Sequence, residues 1–255
     1  MSDKTFGFET LSIHEASPGH HFQISIQQEV ESLPAFRRFG GYTAYAEGWA
    51  LYAESLGKEM GLFTDPYQWY GRLSDEQLRA MRLVVDTGLH YYGWDRQQAI
   101  DYMLANSSMA ESDVVAEVER YIVIPGQALA YKVGQRVIRE LREEAEAELG
   151  EKFDVRAFHR QVLTDGALPM GVLQVKIREW IASQKAKLEE LGLTALQPQL
   201  ELIQGLKDKK QLASTFAALQ RDAYATHQQI GEQVHLSASQ VSRRVQRLHS
   251  HESTR

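Results

Sequence analysis

The 255-residue sequence contains no cysteine. This absence excludes a disulfide framework, a zinc site with thiolate ligands and a cysteine nucleophile, and it leaves the redox compartment open. The sequence also lacks an apolar run of the roughly 18 residues that a membrane-spanning helix needs. Its first residues, MSDKTFGFETL, lack the apolar core of a signal peptide. We therefore expect no membrane association and a cytoplasmic location.

Charge is distributed unevenly along the chain, whose net charge is −6. Residues 1–187 carry 20 basic and 27 acidic side chains, whereas residues 188–255 carry 8 and 7. Arg243, Arg244 and Arg247 lie close together near the C-terminus. The larger part of the chain is therefore a poor partner for nucleic acid, while the tail has the charge that nucleic-acid binding requires.

Apolar residues recur at helical spacing through most of the sequence. Ser74 followed by Glu76 and Gln77 is close to a capping box and predicts the start of a helix. Only residues 5–8 favour a short strand, so the sequence predicts an all-α fold. The predicted helices cover residues 43–60, 74–92, 111–121, 126–149, 154–163 and 170–187.

A change of composition predicts the domain organisation. Residues 188–212 are polar, with glycines, a proline and the run KDKK. Such a stretch is typical of a domain boundary. We predict a domain over residues 1–187, a spacer over 188–217 and a small helical module over 218–255.

The stretch IHEASPGHHF, residues 13–22, carries the residue types of a zinc site. Zinc hydrolases hold the ion with imidazoles and carboxylates and place a further carboxylate near it as general base. Here His14 is followed by Glu15, but His20 and His21 come six and seven residues later. On a regular helix the first lies on another face and the second about 10 Å along the axis. The helix must therefore break at Pro18-Gly19 before a second histidine can reach the same ion.

Two glutamates further along the chain could complete such a site. Glu47 lies in a helix that is otherwise apolar and aromatic, and Gly48 beside it permits a close approach. Glu54, seven residues later, shares its helix face and could orient a histidine ligand by hydrogen bonding. The structural alternative stays open at this point, because a histidine–glutamate pair is common without any metal.

Four motifs together resemble a known family over about residues 5–187. The family is bacterial, is catalogued as a domain of unknown function and is regarded as gluzincin-like, related to the zinc metallopeptidases. In related metallopeptidases one or two residues separate HE from GH, whereas here there are three. The motifs are HEASPGHHFQ, GYTAYAEGWALYAESLG, RLVVDTGLHYYGW and YIVIPGQALAYKVG.

The resemblance implies a set of roles. His14, His20 and Glu47 would be the zinc ligands, with His21 as an alternative ligand, and Glu15 would be the general base. It also implies a mostly helical fold and hydrolysis of a peptide or amide bond in a small peptide-like substrate. Family members carry a long helical half before the first motif, where this chain has 13 residues. We therefore expect the metal ligands, but not necessarily a working enzyme; a non-catalytic protein with a vestigial metal site is an alternative.

Five further residues could assist the chemistry. Arg82, Asp86 and His90 are spaced i, i+4 and i+8 and share one helix face. His90 then either contacts an oxyanion or the substrate, or belongs to an ion-paired stripe in which Asp86 pairs with the cationic side chains on either side of it. Tyr131 and Lys132 follow a Pro-Gly break and could stabilise a tetrahedral intermediate. Alternatively, Tyr131 packs in the core.

The tail predicts a different function. Residues 218–252 have the apolar spacing of a helix–turn–helix, with polar side chains and arginines left on the outer face of the last helix. ALQRD, LSAS and RRVQRL resemble the DNA-binding module of the leucine-responsive regulator family. The alternative hypothesis is therefore a protein that binds duplex DNA; a helical hairpin with a basic face is the structural alternative. The sequence does not indicate the oligomeric state. The candidate DNA contacts are Gln240, Arg243, Arg244 and Arg247.

Overall fold

A computed structural model describes residues 5–204, including the side chains of residues 6–187. Every regular element in this range is helical, which confirms the predicted all-α fold. No helix among these residues is long and apolar enough to cross a membrane. The predicted DNA contacts, the module over residues 218–255 and residues 205–217 of the spacer lie outside the described residues.

Ten α-helices follow one another in the described part of the chain, together with three short 3₁₀ turns. The turns are Thr5–Gly7, Gln127–Leu129 and Gly150–Lys152. The helices are α1 (Phe8–Glu15), α2 (His20–Glu29), α3 (Ala35–Phe39), α4 (Thr43–Leu56), α5 (Pro66–His90), α6 (Arg96–Asn106), α7 (Glu111–Val123), α8 (Ala130–Leu149), α9 (Val155–Leu163) and α10 (Met170–Gln204).

Two local predictions were wrong. Residues 5–8 form no strand, because Thr5–Gly7 is a 3₁₀ turn that leads directly into α1. The long helix α5 begins at Pro66 rather than at residue 74. Asp65 caps it and accepts a hydrogen bond from the Tyr67 amide at 2.7 Å, while the Gln68 side chain accepts one from the Asp65 amide at 3.1 Å. Proline suits the first helical position because the amide hydrogen that it lacks would have no partner there.

The described residues divide between two compact units. Among the described residues, the first takes in 5–144 and 155–178, and its core includes a cluster on α5, α6 and α7 built around side chains such as Val85, Met103 and Val118. The second takes in 145–154 and 179–204. Helix α10 continues without a break past residue 188, and the predicted domain boundary there stays a prediction.

Helix α4 carries both glutamates of the predicted site, Glu47 and Glu54. Its aromatic side chains are fully buried, and Tyr45 Oη donates a hydrogen bond to the Val162 carbonyl at 2.6 Å. Two glycines allow α4 and α8 to cross closely: a Cβ on Gly48 would lie 2.4 Å from Gly134 Cα, and one on Gly134 would lie 1.9 Å from the Ala44 carbonyl oxygen. The crossing brings Glu47 of α4 close to the first turn of α8.

Candidate metal centre

His14 lies in the last turn of α1 and is only 4% exposed. Its Nδ1 is 2.7 Å from Glu54 Oε1, and Glu54 is itself fully buried on α4. A carboxylate bound to one ring nitrogen fixes the orientation of the imidazole and leaves the other nitrogen free to bind a ligand. Glu54 therefore holds His14 in the way that the sequence suggested.

The chain between His14 and His20 turns back sharply. Helix α1 ends at Glu15 and α2 begins at His20, so the predicted break does occur. Trp49 Nε1 donates a hydrogen bond to the Pro18 carbonyl at 2.7 Å and holds the connection against α4. A Cβ on Gly19 would lie 1.9 Å from the His14 carbonyl oxygen, so no larger residue fits this approach. The two imidazoles consequently lie only 4.7 Å apart between ring centroids.

Three side chains converge with the spacing of metal ligands. Glu47 Oε2 lies 3.6 Å from His14 Nε2 and 3.2 Å from His20 Nε2, and the three candidate ligand atoms are all within 4.8 Å of one another. Ligand atoms at the corners of a tetrahedron with zinc–ligand bonds of about 2.1 Å are separated by about 3.4 Å. His14, His20 and Glu47 therefore form one candidate metal-binding cluster.

The chemistry of Glu47 fits a cation. Its Oε2 is buried and has no hydrogen-bond partner among the described residues, although two imidazole nitrogens lie nearby. A buried carboxylate oxygen without a partner is costly unless a positive group is bound to it. A divalent ion between the two imidazoles and this oxygen would satisfy all three ligand atoms together.

The electrostatics of the cluster without metal show what an ion would replace. Burial opposes ionisation of Glu47, but the neighbouring imidazoles of His14 and His20 and the Tyr131 hydroxyl outweigh it and lower the Glu47 pKa from 4.5 to about 2. Burial likewise opposes protonation of His14, but Glu47 and Glu54 raise its pKa from 6.5 to about 9. In the metal-free protein at neutral pH a proton on His14 therefore provides the positive charge between the two glutamates.

Tyr131 adjoins the candidate cluster from the first turn of α8. Its ring stacks on that of His14, with centroids 6.3 Å apart and planes inclined by 21°. Its hydroxyl is one of the groups that lower the Glu47 pKa. The structure thus brings Tyr131 together with the three candidate ligands, as the sequence analysis required for an assisting residue.

Other predicted residues lie apart from the cluster. Glu15, the candidate base, is exposed at the end of α1 beside His14 and is not among the grouped ligand atoms of the described residues. His21 is exposed and is not among the grouped ligand atoms, which include His20 instead. His90 is also exposed, and its Nε2 lies 2.9 Å from the Tyr121 carbonyl oxygen.

The predicted ion-paired stripe on α5 is replaced by other contacts. Asp86 accepts hydrogen bonds from the Gly126 amide at 3.0 and 3.2 Å, in a turn where Gly126 adopts φ +81°. Arg82 instead contacts α7, where its Nη2 lies 2.8 Å from Glu117 Oε2. Since α7 supplies the acceptor, sequence spacing along α5 could not reveal this pairing.

Lys132 also has a structural contact rather than a place in the cluster. Its Nζ lies 2.6 Å from Glu76 Oε1 and 2.8 Å from Gln135 Oε1. Gln135 is fully buried. The contact of Lys132 with Glu76 joins α8 to α5, and the lysine is not among the grouped ligands.

A family model of bacterial proteins of unknown function, DUF885, matches residues 1–177. The chain belongs to this family. A second model, that of the AsnC-type helix–turn–helix domain, matches residues 217–249. A comparison with curated proteins gave no match.

Two solved structures resemble this DUF885 chain. A candidate lipoprotein from Colwellia psychrerythraea is 52% identical with a TM-score of 0.68, and the match covers 70% of this chain and 31% of that protein. A candidate lipoprotein of unknown function from Shewanella oneidensis is 29% identical with a TM-score of 0.60, and the match covers 68% and 31% of the two chains. The chain thus spans about a third of the length of these relatives.

The contact of two arginines with Tyr131, beside the candidate cluster of this DUF885 chain, was not predicted from the sequence. The guanidinium carbons of Arg82 and Arg79 lie 4.6 and 5.9 Å from the centroid of the Tyr131 ring. Arg79 also lines a cavity of about 270 Å³ beside His14 and Glu54. The spacing of three residues between the arginines places both on one face of α5, but it does not reveal that Tyr131 lies against that face.

Proposed function

We propose that this DUF885 chain carries the zinc site of a hydrolase that cleaves a peptide or amide bond. The observation that supports this most directly is the approach of His14 Nε2 and His20 Nε2 to Glu47 Oε2, a buried oxygen that lacks a hydrogen-bond partner among the described residues. Two imidazoles, one carboxylate and a fourth position left for water or substrate are the arrangement of catalytic zinc sites. The HE and GH pairs and the later glutamate are consistent with a gluzincin relationship.

Each residue has a role that its position permits. Zinc bound at this cluster would supply a Lewis acid that polarises the substrate carbonyl. Glu15, adjacent to His14, would accept the proton of the attacking water, and its exposure leaves the carboxylate accessible. Tyr131 Oη would donate a hydrogen bond to the oxygen on which charge develops. Glu54 would keep the proton of His14 on Nδ1, so that Nε2 stays available to the metal.

A paired measurement of cleavage and zinc content tests the hydrolase proposal. The zinc-loaded chain is incubated with a mixed peptide set, and new termini are detected by mass spectrometry. We expect Glu15→Gln to abolish cleavage while keeping its zinc, because Glu15 binds protons rather than metal. His21→Ala, which alters an exposed neighbouring imidazole, should retain both properties. Cleavage by Glu15→Gln at the wild-type rate contradicts the assigned base, and zinc without any cleavage favours the vestigial site.

The location that the solved relatives favour differs from the one expected from the sequence. Both are described as candidate lipoproteins. Lipoproteins are held at a membrane by acyl chains. For this protein we therefore favour a membrane-associated location over the cytoplasm. Fractionation of cells that express the native gene tests this: recovery with the membranes supports it, and recovery in the soluble fraction contradicts it.

A second candidate function is duplex DNA binding through the tail. The match of residues 217–249 to the AsnC-type helix–turn–helix supports it. Binding through arginine–phosphate contacts weakens steeply with salt, because counterions are released. We expect duplex binding, measured by fluorescence anisotropy, to fall with rising salt and to weaken in Arg243→Ala and Arg244→Ala. Binding that is absent, or that does not depend on salt, contradicts this function.

A further inference from the structure

The Tyr131 ring lies between the candidate metal centre and a buried arginine. It stacks on His14, with the two centroids 6.3 Å apart. The guanidinium carbon of Arg82 lies 4.6 Å from the centroid of the same ring, a distance at which cation–π attraction is effective. Gln127 Nε2 approaches Tyr131 Oη only at 3.4 Å, which is long for a hydrogen bond. The Tyr131 hydroxyl also acts on Glu47, whose pKa it lowers. Contacts with His14 and Arg82 therefore hold the plane of the ring while the hydroxyl faces the cluster.

Arg82 is itself held in place by α7. Its Nε donates to Tyr121 Oη at 2.9 Å, and its Nη2 donates to Glu117 Oε2 at 2.8 Å. Tyr121 Oη donates in turn to Glu117 Oε2. Burial opposes the ionisation of Glu117, but Arg82, Tyr121 and the nearby Arg120 outweigh it and lower the Glu117 pKa. The carboxylate that holds Arg82 therefore stays ionised. This arrangement fixes the plane of the guanidinium.

One nitrogen of the Arg82 guanidinium, Nη1, is buried without a hydrogen bond among the described residues. The Arg82 side chain as a whole is only 7% exposed. A buried cation that is incompletely hydrogen-bonded costs stability, and well-packed apolar side chains often replace such ion pairs without loss. An arginine here is therefore better explained by the ring that it contacts than by the stability of the fold.

We propose that Arg82, anchored by Glu117 and Tyr121, is a positioning residue that holds Tyr131 against the metal-binding cluster. The inference rests on the proposed function for its consequence: Tyr131 can donate to an oxygen of a metal-bound ligand only while Arg82 holds its ring. The ligands affected are those that present an oxyanion beside the metal, such as a hydroxamate. Metal binding itself does not depend on Arg82, since the three ligands lie on α1, α2 and α4.

Hydroxamate binding to the cobalt-loaded full chain tests this consequence. Acetohydroxamate is titrated, and the visible absorption of cobalt(II) reports its dissociation constant. We expect Tyr131→Phe and Arg82→Met each to weaken binding about tenfold, the size of one lost hydrogen bond to an anionic group. The double variant should be no weaker than Tyr131→Phe alone, since both changes remove one interaction. Arg136→Met, which alters an exposed arginine on α8 paired with Glu140, should leave the constant unchanged.

Two outcomes of the titration would overturn the inference. One is an unchanged hydroxamate affinity in Arg82→Met alongside a weakened one in Tyr131→Phe. The other is a double variant in which the two effects multiply, because independent losses would mean that Arg82 does not act through Tyr131. If Arg82→Met fails to fold, Glu117→Gln replaces it, and we expect a smaller loss in the same direction; an unchanged affinity in that variant overturns the inference.

A measurement without metal separates this inference from the proposed function. The ring resonances of Tyr131, assigned by their loss in Tyr131→Phe, are followed by NMR in the metal-free chain. Arg82→Met should shift them, Arg82→Lys should shift them less, and Arg136→Met should leave them in place. A chain that takes up neither zinc nor cobalt refutes the proposed function. Tyr131 resonances that do not shift in Arg82→Met refute the positioning role, whether or not metal binds.

Discussion

At the scale of single residues, the candidate centre depends on one carboxylate oxygen. Glu47 Oε2 lies 3.2 Å from His20 Nε2 and 3.6 Å from His14 Nε2. In the metal-free protein the charge of Glu47 is balanced chiefly by protonated imidazole, as the opposite pKa shifts of Glu47 and His14 indicate. A metal ion and a proton therefore compete for His14.

This competition predicts how the stability of the metal-free chain depends on pH. The pKa of His14 is raised from 6.5 to about 9, so its stabilising contribution is complete below pH 6.5 and is lost as pH rises through 9. We expect the melting temperature of the metal-free protein to fall over this interval, and His14→Gln to flatten the fall. Thermal unfolding monitored by circular dichroism measures it. His21→Ala is the control, and an identical pH profile for His14→Gln and wild type contradicts the prediction.

Gly19 offers a sharper test of how His20 reaches the centre. A Cβ at this position would lie 1.9 Å from the His14 carbonyl oxygen, so Gly19→Ala must displace the connection between α1 and α2. We expect a folded variant that loses most of its zinc, because His20 begins the displaced helix. Gly41→Ala, whose Cβ would meet nothing within 4 Å, should keep its zinc. Metal analysis and circular dichroism together measure both properties, and full zinc content in Gly19→Ala would contradict the geometry.

At this scale the proximity of residues within the motifs was predictable from the sequence, whereas contacts with a distant helix were not. His14, His20 and Glu47 were predicted as one group, and their candidate ligand atoms do lie together. The break at Pro18-Gly19 was predicted as the condition for a second histidine to reach the same ion, and the chain does break there. The contact of Arg82 with Glu117 could not be predicted, because it depends on how α5 packs against α7.

At the scale of helices, the crossing of α4 and α8 sets the distance between Glu47 and Tyr131. Gly48 and Gly134 meet there with no room for a side chain on either. We expect Gly134→Ala to push the helices apart, to cost about 1–3 kcal/mol of unfolding free energy by overpacking and to weaken zinc binding. Gly171→Ala on α10 meets nothing within 4 Å and should cost far less. Chemical denaturation measures the first effect and competitive chelation the second; equal stability of the two variants would contradict the crossing.

Helix existence was easier to predict than helix ends. The apolar spacing of residues 43–60 predicted α4, which runs from Thr43 to Leu56. The start of α5 was misplaced because Ser74 resembles a cap, whereas Asp65 and Pro66 begin the helix. A local capping pattern inside a longer helix cannot be distinguished from a true start without knowing where the preceding turn packs.

At the scale of the whole molecule, the chain is a DUF885 protein that spans about a third of its solved relatives. The candidate ligands come from α1, α2 and α4, so bound metal would add a link between three helices that are already joined by packing and by the contact of His14 with Glu54. A ligand that binds only the folded state stabilises it by about 2.7 kcal/mol at a hundredfold excess over its dissociation constant. We expect zinc to raise the melting temperature by several degrees and magnesium to leave it unchanged, as scanning calorimetry would measure. An equal rise in Glu47→Ala would contradict metal binding at this site.

Whether His14, His20 and Glu47 bind zinc is decided by the metal content of the purified chain and four variants. Elemental analysis should find about one zinc per chain in the unmutated protein, in Glu15→Gln and in His21→Ala. His20→Ala and Glu47→Ala should lose the zinc while keeping their helical circular dichroism. The absence of zinc from the unmutated protein after incubation with zinc and dialysis, or its retention in Glu47→Ala, would contradict the assignment of this cluster as a metal centre.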